Sequence, residues 1–187
     1  PDVTNDPVLD QDRTLGNLTI QSGGKLSVGS HKLTVSDASN IDGTLELGTG
    51  TCDAIGAFDA TNGTIDFTDN GSLKLSAETV ISLGNLDNTA GTVEYTRNGN
   101  QKILADNYFN LEISTGGTKS LDGDIDVDGS FEVTGGTFDM NDHNMSVAGD
   151  FMLSSGTIFT KGSGILTFDG TTNLVDNTDT QSLGKIK

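Results

Sequence analysis

GGTKSLDGDIDVDGSFEVTGGTFDMNDHNMSVAGDFMLSSG, residues 116–156, decides the fold. Corners recur mostly every six to eight residues, at Gly116, Gly123, Gly129 and Gly136, then at Gly149 and Gly156. The polar run NDHN at 141–144 fills the one skipped corner. Between corners the residues alternate, with Ile125 and Val127, Phe131 and Val133, Met145 and Val147, and Phe151 and Leu153 each separated by one residue. Period-two alternation sends one set of side chains inward and the other outward on a short strand. Gly, Asn, Asp and Ser tolerate the positive φ that sharp corners use. Three such segments make about twenty residues, so a coil of three short strands is the natural unit.

The same interval runs through the rest of the chain. Gly23, Gly43 and Gly63 are twenty apart, as are Gly116, Gly136 and Gly156. Apolar residues follow: Leu15, Val35, Ile55, Leu75 and Tyr95 form one series, and Leu73, Val93, Ile113, Val133 and Leu153 another, with Leu111, Phe131 and Phe151 two residues earlier on the same strands. A further column reads Leu26, Leu45, Ile65, Leu86, Leu104, Ile125, Met145, Ile165 and Ile186. The third face is less regular, with Ile20, Ile41, Phe58, Phe138 and Ile158. This pattern predicts an all-β chain, a right-handed parallel β-helix (β-solenoid) with about 20 residues and three short strands per coil. About nine coils are expected, forming one segment over residues 1–187. The left-handed triangular form keeps a stricter six-residue rhythm. An antiparallel sandwich would also alternate, but hairpins impose no constant twenty-residue repeat.

Composition supports a narrow stacked core over a round one. The hydrophobic fraction is 33% and Trp is absent, which would supply a single globular core poorly. Ten Lys and Arg stand against 27 Asp and Glu, a net charge of −17, and the arginines are Arg13 and Arg97 alone. Nucleic acid is therefore not an expected partner, because phosphate contacts need clustered Lys and Arg. Membrane insertion is not expected either, since no apolar run reaches spanning length. Cys52 is the only cysteine, which excludes a disulfide within the chain and reads as a small buried apolar residue.

Longer repeats overlie the coil. GTIDFTDNGSLKL at 63–75 parallels GTVEYTRNGNQKI at 91–103, and GGKLSVGSHKLTV at 23–35 matches GGTFDMNDHNMSV at 135–147. The second match aligns His31 with His143 at an offset of 112. These phrases, together with NLTIQSGGKLSV, NLEISTGGTKSLDGDIDVDGSFEVTGGTFDM and MSVAGDFMLSSGTIFTKGSGILTFDG, resemble repeats of long secreted β-solenoid surface proteins of Bacteroidota-type bacteria. Such proteins are similar in kind to filamentous adhesins and autotransporter passengers. The resemblance spans essentially the whole chain and implies a secreted, cell-surface stalk, adhesive or filament-forming segment. It names no ligand.

The sharpest chemical motif is DGDIDVDGSFE at 122–132. Asp124, Asp126, Asp128 and Gly129 match the D-x-D-x-D-G core of calcium loops, whose carboxylates supply hard oxygens at alternate positions. Position 12 of such a loop is Gly135, which lacks the bidentate Glu. Two readings stand: a calcium site at Asp124, Asp126 and Asp128, or a solvated acidic strand face with Ile125 and Val127 inward. His31 and His143 read as corner residues, since no second His, Cys or paired acid lies at ligand spacing in sequence. No G-x-S-x-G elbow is present, Cys52 has no motif pointing to a catalytic partner, and corners are too short for the groove of a β-helix polysaccharide lyase or hydrolase.

The ends are expected to matter. Residues 1–14, with Pro1 and Pro7, read as an N-terminal edge or cap, while Ile186 still sits in a core column just before the final residue. The expectation is an extracellular structural or adhesive rod that associates end to end into filaments. A calcium- or polysaccharide-binding module of a larger adhesin is the second reading, and a polysaccharide-degrading enzyme the third.

Overall fold

The structure, a computed structural model, describes residues 6–178, 181–184 and 186. Among these there is no helix, and the strands are two to four residues long. They stack in parallel into a β-solenoid of about eight turns, with roughly 20 residues and three sheets per turn. Nine coils were expected; the strand that opens each coil does occur nine times, and nine strands enclose eight turns. Every described strand pair is parallel, which excludes the antiparallel sandwich.

Two compact units divide between Thr92 and Val93. In the first unit, Arg13–Leu15, Lys32–Val35, Thr51–Ala54 and Ser72–Leu75 form the first sheet. Leu18–Ile20, Ser39–Ile41, Phe58–Asp59 and Val80–Ser82 form the second, and Lys25–Ser27, Thr44–Leu47, Thr64–Phe67 and Asn85–Leu86 the third. Like positions lie over one another. Leu33, Cys52 and Leu73 make one inward column, and Leu15, Val35, Ala54 and Leu75 its neighbour. Leu26, Leu45, Ile65 and Leu86 align on the third sheet as expected. Full burial of each such Leu, Ile or Val removes apolar surface worth about 1.5–3 kcal/mol before ordering entropy is charged against it.

Ile55 is not in its expected column. Ala54 takes the place beside Val35 and Leu75, and Ile55 is 46% exposed. The turns on either side are 19 and 21 residues (35 to 54, 54 to 75) rather than 20 and 20. A one-residue slip on a strand moves the side chain to the opposite face. On the second sheet Ile20 pairs with Ile41 as expected, whereas Phe58 pairs with Ser39 rather than following Ile41.

In the second unit the first sheet contains Asn110–Ile113, Phe131–Val133, Phe151–Leu153 and Leu174–Asp176. Gln101–Ile103, Thr118–Leu121, Thr137–Asp139 and Ile158–Thr160 form the second, and Asn107–Tyr108, Ile125–Val127, Met145–Val147 and Leu166–Phe168 the third. Phe131, Phe138, Phe151 and Phe159 cluster in the core with ring centroids 4.8–5.8 Å apart. Here too single-residue slips correct the expected columns. Phe159 replaces Ile158 inside, and Leu166 replaces Ile165, the two isoleucines being 54% and 39% exposed. Ile186 does bridge to Leu166.

A slip of two residues also occurs. The Ser114 N–H donates to the Tyr95 carbonyl, as Ser36 does to Leu15 where Leu15 lies beside Val35. Tyr95 therefore stands beside Ile113 after an 18-residue turn, and the Ile113–Val133–Leu153 column continues Tyr95 rather than Val93. The shortened turn also removes Leu104 from the Ile125 column, where pairing of Asn107 with Asp126 leaves no place for it.

Corner glycines are needed for two different reasons. At Gly136 (φ 73°) the backbone is left-handed, as the sequence suggests. Gly63 has no positive φ; instead a Cβ there would lie 2.2 Å from the Ile41 carbonyl oxygen of the turn before. Pro1 lies outside the described residues, as do Lys185 and Lys187 next to Ile186. At Pro7 the carbonyl accepts from the Ser27 N–H at 2.9 Å, and the Leu9 N–H donates to the Ser27 carbonyl at 2.9 Å.

Candidate functional site

Outward polar side chains bond mainly along the stack. Asp12 Oδ1 accepts from the Lys32 N–H, Asn17 Oδ1 from Ala38, Asn110 Oδ1 from both the N–H and hydroxyl of Ser130, and Asp142 Oδ1 from both donors of Ser163. Each link joins a corner to the equivalent corner about one turn on. An Asn or Asp just before a strand thus caps the free N–H of the next coil.

The aspartates of the calcium-like motif belong to this system. Ile125 and Val127 point inward and are buried, as expected, while Asp124 and Asp128 are exposed. Asp124 accepts from the Asn144 N–H at 2.8 Å and from its side-chain amide at 2.9 Å. These bonds, with His143 nearby, hold the Asp124 carboxyl below the usual aspartate range. Asp126 accepts from the Ser146 hydroxyl. Among the described residues, no group of three or more His, Cys, Asp or Glu is placed to hold a metal ion.

His31 and His143 sit at corners, and the fold supplies each with an acid that the local sequence does not show. His31 Nδ1 lies 3.8 Å from Asp12, and His143 Nδ1 lies 3.7 Å from Asp124. In both places the same aspartate accepts the N–H of the residue after the histidine, at 2.8 Å. Asp12 and Asp124 are themselves 112 apart, so the internal repeat held the signal.

The least expected group is a polar core at the start of the second unit. Lys119 has no exposed surface. It stands in the inward column between Gln101 and Phe138, and its Nζ donates to the carbonyls of Arg97 (2.8 Å), Gly116 (2.8 Å) and Gly99 (3.3 Å). Burial and the Arg97 guanidinium push its pKa down to about 8. Strand parity in TKSL places Lys119 and Leu121 on one face, a signal that the habit of reading Lys as outward overrides. Beside it in sequence, Leu104 N–H donates to Tyr95 Oη, the Tyr95 and Tyr108 hydroxyls meet at 3.1 Å, and Tyr108 donates to the Leu104 carbonyl at 2.7 Å. The loop closes on the N–H and C=O of one residue, Leu104. Burial drives Tyr95 up to about 12 and raises Tyr108 as well.

Cys52 is buried, and its thiol is pushed up to about 12, so it carries little thiolate. A cavity of about 570 Å³ opens at the first turn of the first unit, lined by Leu15, Leu18, Ile20 and Leu26 with Asp6 and Lys25. Among the described residues no helix is long and apolar enough to cross a membrane. Comparison with family models, curated proteins and solved structures finds no match.

Proposed function

We propose that the chain is a secreted, cell-surface structural or adhesive segment of a repetitive protein, without catalytic activity, whose copies associate end to end into filaments. The observation that carries this reading is the direction of the outward hydrogen bonds. A binding or catalytic groove needs polar groups that converge on open space. Here Asp12, Asn17, Asn110, Asp124 and Asp142 spend their acceptors on the neighbouring turn, which stiffens the stack and leaves an acidic surface of net charge −17.

Electron microscopy of the purified chain over a range of concentrations tests the filament. Threads one coil wide that lengthen with concentration support it, and dispersed single particles throughout reject it. Release of reducing ends from acidic or neutral polysaccharides would reject the non-catalytic role, and failure of antibodies to label intact cells would reject the surface location.

A further inference from the structure

One inward column in each unit's first sheet ends in a charge. In the first unit Leu33, Cys52 and Leu73 stack inward with no exposed surface, and the residue in register beneath Leu33 is Arg13. In the second unit Val133 stacks in the same way between Ile113 and Leu153, and the residue in register with Leu153 is Asp176. Arg13–Leu15 and Leu174–Asp176 are the end strands of that series, so both charges still face water. Each is held locally: Arg13 Nη2 donates to Asp10 Oδ1 at 2.6 Å, and Asp176 Oδ1 accepts from the Thr178 N–H at 2.9 Å. The adjoining edges are closed in other ways. Pro7, whose carbonyl accepts from Ser27, has no N–H to give a further strand. Over Ile158–Thr160 the Gln181 side chain stands where a strand residue would, with Nε2 donating to the Thr157 carbonyl at 2.6 Å and Oε1 accepting from the Phe159 N–H.

We propose that Arg13 and Asp176 are gate residues, which hold back the stacking of a second copy end to end on this chain. The proposal deepens the end-to-end reading above and rests on it for the partner. An edge strand with free N–H and C=O groups is a template for another strand, and a charge at an inward position is one way in which that template is blocked. A second copy seated on either strand covers the charge with its own column. Fully overlapped in parallel, the two strands set Arg13 of one copy against Leu174 of the next and Leu15 against Asp176, so neither charge lies opposite the other. A charge taken from water without a matched partner opposes the contact. Asp10 does not relieve it: being exposed itself, it must enter the joint with Arg13 or release it. Thr14 and Val175, which pair in register with the outward Thr34 and Met152, lie on the outer face and stay clear of the joint.

Sedimentation velocity at fixed salt over a range of concentrations, on the parent chain and on Arg13→Leu/Asp176→Leu, tests it. The double variant should assemble at a concentration lower by roughly tenfold or more. Each single variant should fall between, and Thr14→Leu, which adds the same apolar bulk on the outward face, should match the parent. Disulfide formation between chains then locates the joint: in the double-variant background, Thr14→Cys should link to Val175→Cys faster than to Lys102→Cys. Assembly of parent and double variant at the same concentration would overturn the gate and leave the end-to-end reading standing. Assembly of the double variant alone supports the gate and rejects that reading for the parent chain. Chains that stay dispersed in every variant, a Thr14→Leu effect as large as the double variant's, or linking with no preference for Val175→Cys would each overturn the gate.

Discussion

Val133 tests the inside of the coil most directly. It is fully buried between Ile113 and Leu153, so Val133→Asp places a carboxylate where no partner waits and should destabilise by about 3 kcal/mol or more. Glu132→Ser, one residue away on the outward face, should stay within about 0.5 kcal/mol. Equal shifts in urea midpoint would contradict the inward–outward assignment. Ser130 is no neutral control, because its N–H and hydroxyl both bond to Asn110. Ser39 offers the opposite sign. It lies between Leu18 and Phe58 in an inward column, and its buried hydroxyl finds no partner. Ser39→Ala should therefore raise stability by about 0.5–1 kcal/mol, measured by the same denaturation. Inside and outside were legible at this scale because side-chain parity on a strand is a local property. Lys119 obeyed that parity; its chemistry hid it.

At the scale of the element, corners matter as much as strands. Asn144 ties its corner in both directions, donating to Asp124 and accepting from the Ile165 N–H at 3.1 Å. Asn144→Ala should cost about 1 kcal/mol. The same staples set the acid response. Asp10, held by Arg13, and Asp124 and Asp142, held by the Asn144 and Ser163 N–H groups, all have folded pKa values below the ordinary 3.8. A depressed carboxylate stabilises the fold fully above its unfolded pKa and loses that contribution as pH falls through the folded one. Relief of the −17 repulsion acts in the opposite sense on acidification, so the staple is read as a difference: between about pH 5 and about pH 3 the midpoint advantage of the parent chain over Asp124→Asn should shrink. An advantage that does not change with pH would refute the staple. The sequence located strands better than columns because turn length varies. Ile55, Ile158 and Ile165 matched a fixed period yet lie one residue from the true inward position.

At the scale of the whole molecule, charge is the governing term. A net −17 spread over 187 residues repels itself, and salt screens that repulsion over about 10 Å at 0.1 M. Raising salt from about 10 mM to about 0.5 M should increase the melting temperature by a few degrees. A decrease would mean that ion pairs such as Lys32–Asp53, at 2.9 Å, outweigh the repulsion. The internal repeat shows what sequence can and cannot carry. His31 opens Lys32–Val35 on the first sheet, whereas its counterpart His143 stands just before Met145–Val147 on the third. An offset of 112 residues is about five and two-thirds turns, so one local pattern serves two different faces. The amino-acid sequence by itself determined the alternation, the corners and the period, because each depends on neighbours within a few residues. Stacking alone decided which residues share a column, where Asp12 and Asp124 meet their histidines, and that Lys119 is enclosed, because those contacts join residues about a turn apart and shift with every change in turn length.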